Sequence, residues 1–246
     1  MNTTENLDQL VKLKLRGMAG SYEALLQMPV NNQPEGHELL GSLLQAELQH
    51  RQHHRTTTLL RLSRLRYQAT IEQVHCSPAR NLTKQQLLQL ADCSYIKRAE
   101  NVLITAATGC GKSHLSCALG HQSCLMGYKT LYLNMNRFCE KIALAKLDGT
   151  YLKMLSYMDR VSLLILDDFG LQPLDNQVKL ALLQILEDRY QVKSTIIASQ
   201  LPVSAWHQYL NEPTLADAIM DRVSANAHRI ELKGESLRKK NNQKSV

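Results

Sequence analysis

The sequence predicts an α/β fold, in which a parallel sheet is flanked by helices and preceded by a small all-α domain. From about residue 100 onward, apolar runs typical of buried strands alternate with helical patterns, which indicates parallel strands covered on both faces. Residues 7–62 instead place apolar side chains at helical spacing. A length of 246 residues, 44% of them hydrophobic, is enough for one α/β domain and a smaller appendage. We therefore expect a helical domain over residues 1–68 and a second domain over residues 69–246.

The amino-terminal domain is predicted to contain two helices. Apolar residues recur at helical spacing over residues 7–28, which predicts a first helix that ends before Pro29. Residues 31–36 form a predicted turn because they combine asparagine, proline and glycine. A second helix is expected over residues 37–62, although three consecutive threonines weaken the helical pattern at 56–58.

Five arginines give the end of the second helix a strong positive charge. Residues 49–66 contain these arginines and three histidines but no acid. On a helical wheel Arg51, Arg55 and Arg66 fall close together, whereas Arg61 and Arg64 lie elsewhere; these five residues are the basic collar. A solvated helix face is one explanation. Contact with nucleic acid is the other, and the net charge of +7 favours an anionic partner, so we expect the basic collar to bind DNA.

The second domain begins with a linking segment and continues as alternating strands and helices. Residues 67–99 contain a short extended stretch, a turn at Ser77-Pro78 and a helix that Thr83 caps. Parallel sheets bind ligands beyond the carboxyl ends of their strands, so residues at those ends are the first candidates for chemistry. The predicted strands are residues 102–105, 130–134, 162–166, 195–199 and 227–232, and the predicted helices are residues 112–126, 135–146, 175–191 and 215–223.

A glycine-rich loop follows the first of these strands. The pattern G-x-x-x-x-G-K-[ST] of a P-loop is met at every place except its first glycine, where Ala106 stands. In this motif backbone N–H groups surround the phosphates of ATP, while Lys112 brings charge to them and Ser113 offers an oxygen to Mg²⁺. A strand, turn and helix with a solvent-facing lysine is the alternative. The candidate ATP-binding residues are Ala106, Ala107, Thr108, Gly109, Cys110, Gly111, Lys112, Ser113 and His114.

Two adjacent acids follow the apolar run of the third strand. The first, Asp167, lies at the carboxyl end of a strand covered on both faces and can reach a metal beside Ser113. The second, Asp168, can orient water and accept its proton, which is the base that hydrolysis of ATP requires. Two acids at the start of a turn also occur as caps, but a P-loop upstream favours the catalytic interpretation. We expect Ser113 and Asp167 to bind Mg²⁺ and Asp168 to be the base.

Three further polar residues are candidates for contact with the phosphates. Gln200 follows the fourth strand, where its amide can hydrogen-bond the γ-phosphate or the attacking water. Arg222 lies on an otherwise apolar helix, and Arg238 lies at the start of the basic carboxyl-terminal tail. An arginine finger accelerates phosphoryl transfer by about 10³- to 10⁵-fold. The residues alone allow either arginine to act in this way or to be a surface residue.

Composition argues against a membrane protein or a secreted one. No apolar stretch approaches the roughly 20 residues of a membrane span, and the amino terminus shows no export signal, so we expect a cytoplasmic protein without membrane contact. The six cysteines show neither C-x-x-C pairs nor histidine partners at metal spacing, which favours buried thiols over disulfides or a zinc site.

Together these motifs resemble the IstB family of transposition helper ATPases, close relatives of the helicase loader DnaC within the AAA+ class. The similarity covers nearly the whole chain and rests on segments that follow in order: residues 13–18, 100–104, 109–115, 164–170, 198–202, 220–222 and 233–238. The resemblance implies an AAA+ core and a helical domain that grips double-stranded DNA. It also implies ATP-dependent assembly into a homo-oligomer, as a ring or helical filament, and recruitment or activation of a partner transposase.

The resemblance also implies roles for single residues. Gln200 takes the sensor 1 place, Arg222 the arginine-finger place and Arg238 the sensor 2 place. Three positions depart from the family pattern: Ala106 replaces a glycine, Gln200 stands where asparagine is more usual, and Asp168 stands where many AAA+ members have glutamate. These departures leave open slowed hydrolysis, or an inactive module that only holds ATP. A DnaC-like helicase loader also stays open, as does a small-molecule kinase, for which no lid or acceptor-pocket motif is evident.

Overall fold

The computed structural model describes residues 3–237, which form two compact units. The first unit extends to Thr58 and the second begins at Leu59. This division precedes the boundary predicted after residue 68 because the intervening segment packs into the second unit: Ala69 belongs to its core and Leu65 packs against it. A boundary between independently folding domains after residue 68 stays a prediction.

The first unit is helical, and its elements are α1 (Thr3–Lys12), α2 (Arg16–Leu26), a 3-10 turn (Val30–Asn32) and the beginning of α3 (Gly36–Ser63). The prediction of one helix over residues 7–28 is wrong, because Lys14 adopts a left-handed φ of +60° between α1 and α2. Glu47 of α3 accepts hydrogen bonds from the N–H groups of Gly17 (2.7 Å) and Met18 (3.2 Å) at the start of α2. The continuous second helix is confirmed despite its threonines.

The second unit alternates strands and helices, as predicted. Its strands are β1 (Asn101–Ala106), β2 (Thr130–Asn134), β3 (Leu163–Phe169), β4 (Ser194–Ser199) and β5 (Ala227–Leu232). Its helices are α4 (Lys84–Ala91), α5 (Ser94–Lys97), α6 (Lys112–Leu125), α7 (Met135–Leu147), α8 (Tyr151–Asp159), α9 (Asn176–Arg189), α10 (Trp206–Leu210) and α11 (Pro213–Ser224), with 3-10 turns at Ile71–Gln73, Pro78–Arg80 and Val203–Ala205. The predicted strands and helices are confirmed with small shifts of their ends. Helices α5, α8 and α10 were not predicted, because each is too short to show a clear helical period.

The five strands form one parallel sheet in the order β2-β3-β4-β1-β5. The register pairs Thr105 of β1 with Ser199 of β4, and Asn134 of β2 with Asp167 of β3. The carboxyl ends of these four strands therefore meet at one edge of the sheet. This edge carries the P-loop, the two acids and Gln200, the residues that the sequence predicts for the nucleotide site.

The sheet is buried on both faces, which explains its continuous apolar runs. Leu163 and Ile165 of β3 belong to an apolar cluster shared with α6, whereas Leu164 and Leu166 belong to a second cluster shared with α7, α9 and α11. Successive side chains of a strand point to opposite faces, so both sets must be apolar.

Two further expectations concern the state of the cysteines and helices that could span a membrane. All six cysteines lie in the described part of the chain as free thiols, and four of them are buried. Between residues 3 and 237 no helix is both long and apolar enough to cross a membrane.

Candidate functional site

The loop between β1 and α6 has the geometry of an anion cradle. Gly109 and Gly111 adopt φ values of +84° and +89°, which a residue with a Cβ adopts only under strain. Helix α6 begins directly after Gly111, its N-cap residue, which has no side chain to cap the first turn. The first N–H groups of a helix lack partners within it, and the helix dipole adds positive potential there. This combination favours binding of a phosphate.

Ala106 occupies the place of the missing first glycine without distorting the loop. It is the last residue of β1, pairs with Leu232 of β5 and has only 7% of its surface exposed. Its φ is the negative one of an ordinary strand. A Cβ is therefore compatible with this position, and the departure from the motif does not alter the cradle.

Lys112 is the first residue of α6 and is buried, with 5% of its surface exposed. Its ammonium group donates hydrogen bonds to the carbonyl oxygens of Ala106 (2.9 Å) and Ala107 (3.1 Å). Hydrogen bonds between an ammonium and a phosphate oxygen are stronger than these, because both partners carry charge. A phosphate bound in the loop can therefore displace the two carbonyl groups.

The two predicted acids lie in a β-bulge of β3. The register against β4 shifts between Leu166 and Phe169, so β3 contains an extra residue at this point. Asp167 is fully buried and accepts two hydrogen bonds, from the hydroxyl of Tyr132 (2.6 Å) and from the N–H of Asp168 (2.9 Å). A carboxylate has about four acceptor sites, so Asp167 keeps capacity for a metal ion.

Asp168 is held in an uncommon conformation by its neighbours. Its φ is +60°, the Asn134 amide donates to its Oδ2 atom at 2.6 Å, and a guanidinium nitrogen of Arg66 lies 3.6 Å from the same atom. Burial and the carboxylate of Asp167 raise the pKa of Asp168, and Arg66, Lys112 and Asn134 lower it. The net shift is upward, which brings the pKa closer to neutral and makes the carboxylate a better proton acceptor.

Gln200 is in direct contact with the P-loop. The hydroxyl of Thr108 donates a hydrogen bond to its Oε1 atom at 2.8 Å. Gln200 follows β4, which lies between β3 and β1 in the sheet. The strand order therefore explains why this residue contacts the loop and lines the same cavity as Asp168.

The segment that precedes the carboxyl-terminal tail also contacts the P-loop. The N–H of Leu237 donates to the carbonyl of Gly109 at 3.0 Å, and the guanidinium of Arg80 donates to the carbonyl of Cys110 at 2.6 Å. A Cβ added to Gly111 would lie 3.2 Å from both Arg80 and Leu237. A side chain and a backbone N–H from two distant parts of the sequence thus hold the loop in its conformation.

One cavity of about 590 Å³ is lined by most of these residues, whereas the buried Asp167 is not among the described residues that line it. Its walls combine polar and apolar groups, which is typical of a cofactor site and suits a nucleotide with its base and its phosphates. The described chain contains no cluster of three or more His, Cys, Asp or Glu side chains around a metal site. Mg²⁺ needs only one or two carboxylates beside phosphate oxygens, so ATP and Mg²⁺ fit the residues present. The polar lining includes Thr108, Gly109, Gly111, Lys112, Ser113, His114, Asp168 and Gln200, and the apolar lining includes Val74, Leu82, Leu115, Leu232 and Leu237.

Comparison with known proteins establishes the family. A family model described as "IstB-like ATP binding protein" matches residues 8–245. The chain belongs to the IstB-like ATP-binding family. It is 44% identical over 239 residues to the insertion sequence ATP-binding protein y4pL of Sinorhizobium fredii, which covers 97% of this chain and 98% of that relative. It is 27% identical to the insertion sequence IS21 ATP-binding protein of Pseudomonas aeruginosa, over 96% of this chain and 89% of the relative.

Solved structures confirm the fold of this IstB-like protein. The crystal structure of the DnaC helicase loader superposes with a TM-score of 0.57 at 17% sequence identity, over 68% of this chain and 98% of that one. The predicted AAA+ core, with a parallel sheet flanked by helices, is therefore confirmed.

Neither of the two candidate arginine fingers, Arg222 and Arg238, is among the described residues that line the cavity. Arg222 of α11 forms ion pairs with Glu187 of α9 (2.7 Å) and Asp221 (2.6 Å), and it is not among the described residues that line the cavity. Its carbonyl oxygen accepts a hydrogen bond from Asn101 at the first residue of β1. The P-loop follows the last residue of the same strand, so Arg222 lies toward the opposite edge of the sheet. Arg238 lies outside the described residues.

The first two residues of the basic collar belong to the first unit. Arg51 and Arg55 are one helical turn apart on α3 and are both exposed. Arg51 forms an ion pair with Glu47 at 2.7 Å. Although burial raises the pKa of Glu47, its bonds with Arg51 and with the start of α2 outweigh that effect and lower the pKa. The positive charge of Arg51 is therefore partly neutralised by an acid of the same unit.

The other three residues of the basic collar belong to the second unit. Arg61 is an exposed residue near the end of α3, and Arg64 follows the helix with a left-handed φ of +56°. Arg66 instead lines the nucleotide cavity beside Asp168. DNA contact by the basic collar stays a prediction, and the position of Arg66 gives that residue a second candidate role.

Sequence reasoning missed several residues of the site, among them Asn134 and Arg80. Asn134 was a candidate only in the general sense that it ends a predicted strand, since its contact with Asp168 depends on β2 lying beside β3. Arg80 lies in the linking segment, where nothing in the local pattern indicates that its guanidinium reaches the P-loop.

Proposed function

We propose that this IstB-like protein is a DNA-stimulated ATPase that binds double-stranded DNA, assembles into homo-oligomers with ATP at subunit boundaries, and recruits or activates a partner transposase. The observation that supports it most directly is that residues of the P-loop, among them Lys112, line one cavity together with Asp168 and Gln200. The insertion sequence relatives, which are named as ATP-binding proteins, support the same proposal.

ATP binding uses the loop and the first turn of α6. Backbone N–H groups after Gly109 hold phosphate oxygens, and Lys112 exchanges its two carbonyl partners for them. Ser113 and Asp167 hold Mg²⁺, which when bound neutralises charge on the phosphates. The apolar walls of the cavity, among them Leu82 and Leu232, suit the nucleobase.

Hydrolysis requires a base and a group that orients water. Asp168 accepts the proton of the water whose oxygen bonds the γ-phosphorus, while the bond from that phosphorus to the bridging oxygen breaks and ADP leaves with the electron pair. Gln200, which contacts Thr108 and lines the same cavity as Asp168, orients the water. The raised pKa of Asp168 supports its role as base.

Arg222 acts on the nucleotide of a neighbouring subunit. Its backbone is tied to the amino-terminal end of β1, whereas the P-loop of the same chain follows the carboxyl-terminal end. A strand of this length spans about 17–20 Å, which is beyond the reach of one arginine side chain. The ion pairs with Glu187 and Asp221 orient the side chain of Arg222 at the surface of its subunit.

DNA binding is assigned to the basic collar. Arg51, Arg55, Arg61 and Arg64 contact backbone phosphates, which explains the excess of positive charge without a base-reading motif. Binding of this kind is strongly dependent on salt. Replacement of Arg51, Arg55 and Arg61 together should weaken binding and reduce its salt dependence.

A matched pair of lysine variants tests the proposal. We expect ATP hydrolysis by the parent protein to rise with added duplex DNA and with protein concentration. Lys112→Ala should lose ATP binding and hydrolysis, whereas Lys129→Ala, which removes an exposed lysine before β2, should retain both. Hydrolysis that responds neither to DNA nor to concentration would refute the proposal.

Two different functions predict different results. A helicase loader would bind a replicative helicase and prefer single-stranded DNA; the likeness to DnaC is one of fold alone, at 17% identity. An inactive ATP-holding module would bind ATP yet release no phosphate in a single-turnover reaction on DNA. Capture of the partner transposase together with single-turnover hydrolysis would exclude both.

A further inference from the structure

Arg66 lies in the nucleotide cavity of its own subunit. Helix α3 ends at Ser63, and the left-handed residue Arg64 then turns the chain toward the second unit's core. Leu65 packs against that core, and Ala69 is 1% exposed within it. The backbone on both sides of Arg66 is therefore anchored, and the side chain lines the cavity with Lys112 and Asp168.

The guanidinium of Arg66 is positioned by two tyrosines. It lies over the ring of Tyr67, 5.3 Å from the centroid, and beside the hydroxyl of Tyr132, which itself donates to Asp167. Its ion pair with Asp168, at 3.6 Å, is longer than a hydrogen bond. The Oδ2 atom in question already accepts the 2.6 Å bond from Asn134.

This arrangement leaves the guanidinium of Arg66 able to bind a group that is more negatively charged than Asp168. Its side chain is 45% exposed, whereas that of Asp168 is 18% exposed. A guanidinium presents five N–H donors in a planar fork that matches two phosphate oxygens. A triphosphate carries more negative charge than one carboxylate, and Lys112 lines the same cavity as Arg66.

We infer that Arg66 binds the γ-phosphate of ATP in its own subunit, exchanging Asp168 for the phosphate oxygens when ATP enters. This inference rests on the proposed function and deepens it. Each bound ATP then contacts Arg66 of its own subunit in addition to the arginine that the proposed function takes from a neighbouring subunit. It also replaces the DNA contact predicted for Arg66 with a contact to nucleotide.

Equilibrium binding without DNA tests the inference. The dissociation constants of ADP and of a β,γ-methylene analogue of ATP are measured by calorimetry for the parent, Arg66→Ala, Arg66→Lys and Arg160→Ala. Arg160 is the matched control, since it is an exposed arginine outside both the basic collar and the described lining of the cavity. Arg66→Ala should weaken binding of the ATP analogue by about tenfold while ADP binding changes by less than about twofold, because only the analogue has a γ-phosphate. Arg66→Lys should fall between, and Arg160→Ala should match the parent.

The salt dependence of duplex DNA binding provides the second readout. Arg66→Ala should leave the slope unchanged, whereas a phosphate contact to DNA would reduce it by about one unit. The inference would be overturned if Arg66→Ala weakened the binding of both nucleotides equally or of neither. A reduced salt slope for DNA binding would overturn it as well. If Arg66→Ala does not fold, Arg66→Lys decides by the same comparison.

Lys112→Ala separates this inference from the proposed function. If that variant loses both nucleotides and Arg66→Ala binds like the parent, only the role of Arg66 fails. If Lys112→Ala still binds both nucleotides at parental strength, the nucleotide site itself is misplaced.

Discussion

Asp168 adopts a backbone conformation that aspartate seldom adopts, and the bulge of β3 holds it there. Such a residue costs about 1–3 kcal/mol and persists only where the surrounding structure enforces it. Here Asn134 and Arg66 both contact the carboxylate, and β3 is buried on each side of the bulge. The strain therefore aims one acid into the cavity while Asp167, its neighbour, stays buried.

The first prediction at this scale concerns Ala106. Ala106→Gly should leave ATP affinity and turnover within about twofold of the parent, because the position is an ordinary strand end with no positive φ. The same change should lower the free energy of unfolding by about 0.5–1 kcal/mol, since glycine loses more entropy on folding. Calorimetry and denaturant unfolding measure the two quantities. A large gain in turnover would show that alanine does restrain the loop.

The second prediction concerns Arg189, a charged residue that is 1% exposed at the end of α9. Its guanidinium donates to the carbonyl oxygens of Met158, Val161 and Ser194, and burial lowers its pKa to about 10. Arg189→Met would leave these carbonyls without their partner and should destabilise the protein by about 3–5 kcal/mol in denaturant unfolding.

The matched control for Arg189 is Arg160→Met, which changes an exposed arginine at the end of α8. It should alter stability by less than about 0.5 kcal/mol. Similar effects of the two substitutions would contradict the structural role of Arg189.

At the scale of elements, a helix or strand was predictable where the residues that determine it lie close together in the sequence. The strands were predicted because a strand buried on both faces must be apolar at every position, as in residues 163–166. The break between α1 and α2 was not, because it depends on Glu47, which lies about thirty residues farther along the chain. Arg66 was grouped with Arg51 and Arg55 on a wheel that assumes a continuous helix, whereas α3 ends at Ser63.

Helix α2 provides a prediction about local stability. Glu47 is 5% exposed and accepts the N–H groups of Gly17 and Met18, which are the first donors of α2. Glu47→Ala should therefore speed amide hydrogen exchange in α2 by about tenfold or more, while exchange in α9 stays unchanged. Gln49→Ala, at an exposed position of α3, is the control and should alter neither helix.

The contact between β1 and β5 gives a prediction about pH. Glu100 precedes β1 and contacts Arg98 (2.8 Å) and His228 of β5 (2.8 Å), and the bond from Arg98 above all lowers the pKa of Glu100 to about 2. A carboxyl with a lowered pKa stabilises the fold above the ordinary value of about 4.5, and this contribution is lost as the pH falls toward 2.

Glu100→Gln should therefore lower the free energy of unfolding by about 1 kcal/mol at pH 7 and flatten its loss between about pH 5 and pH 2. The measurement is urea unfolding at a series of pH values. Glu140→Gln, at an exposed position of α7, should preserve the parental pH dependence. A parental pH dependence in Glu100→Gln would assign the acid lability to other carboxyls.

At the scale of the whole molecule, the proposed function requires each site to be completed by a neighbouring chain. The cavity contains the P-loop, Asp168 and Gln200, while Arg222 is tied to the other end of β1. The sequence predicted which residue types would meet, since strand ends and motifs are local features. It did not show which arginine serves which subunit, because that depends on the order of the strands and on contacts between copies. Assembly on DNA is the proposed means by which each site is completed.

A mixing experiment tests this central claim most directly. Asp168→Asn keeps ATP binding and Arg222 but lacks the base, whereas Arg222→Ala keeps the base but lacks the finger; each variant alone should be nearly inactive on duplex DNA. Equal mixing should restore activity at about a quarter of the subunit boundaries, where an intact catalytic face meets an intact Arg222. Recovery toward that level in steady-state ATPase assays is the expected result. A mixture that stays as inactive as its components, although both variants assemble on DNA, would contradict the completion of each site by a neighbouring subunit.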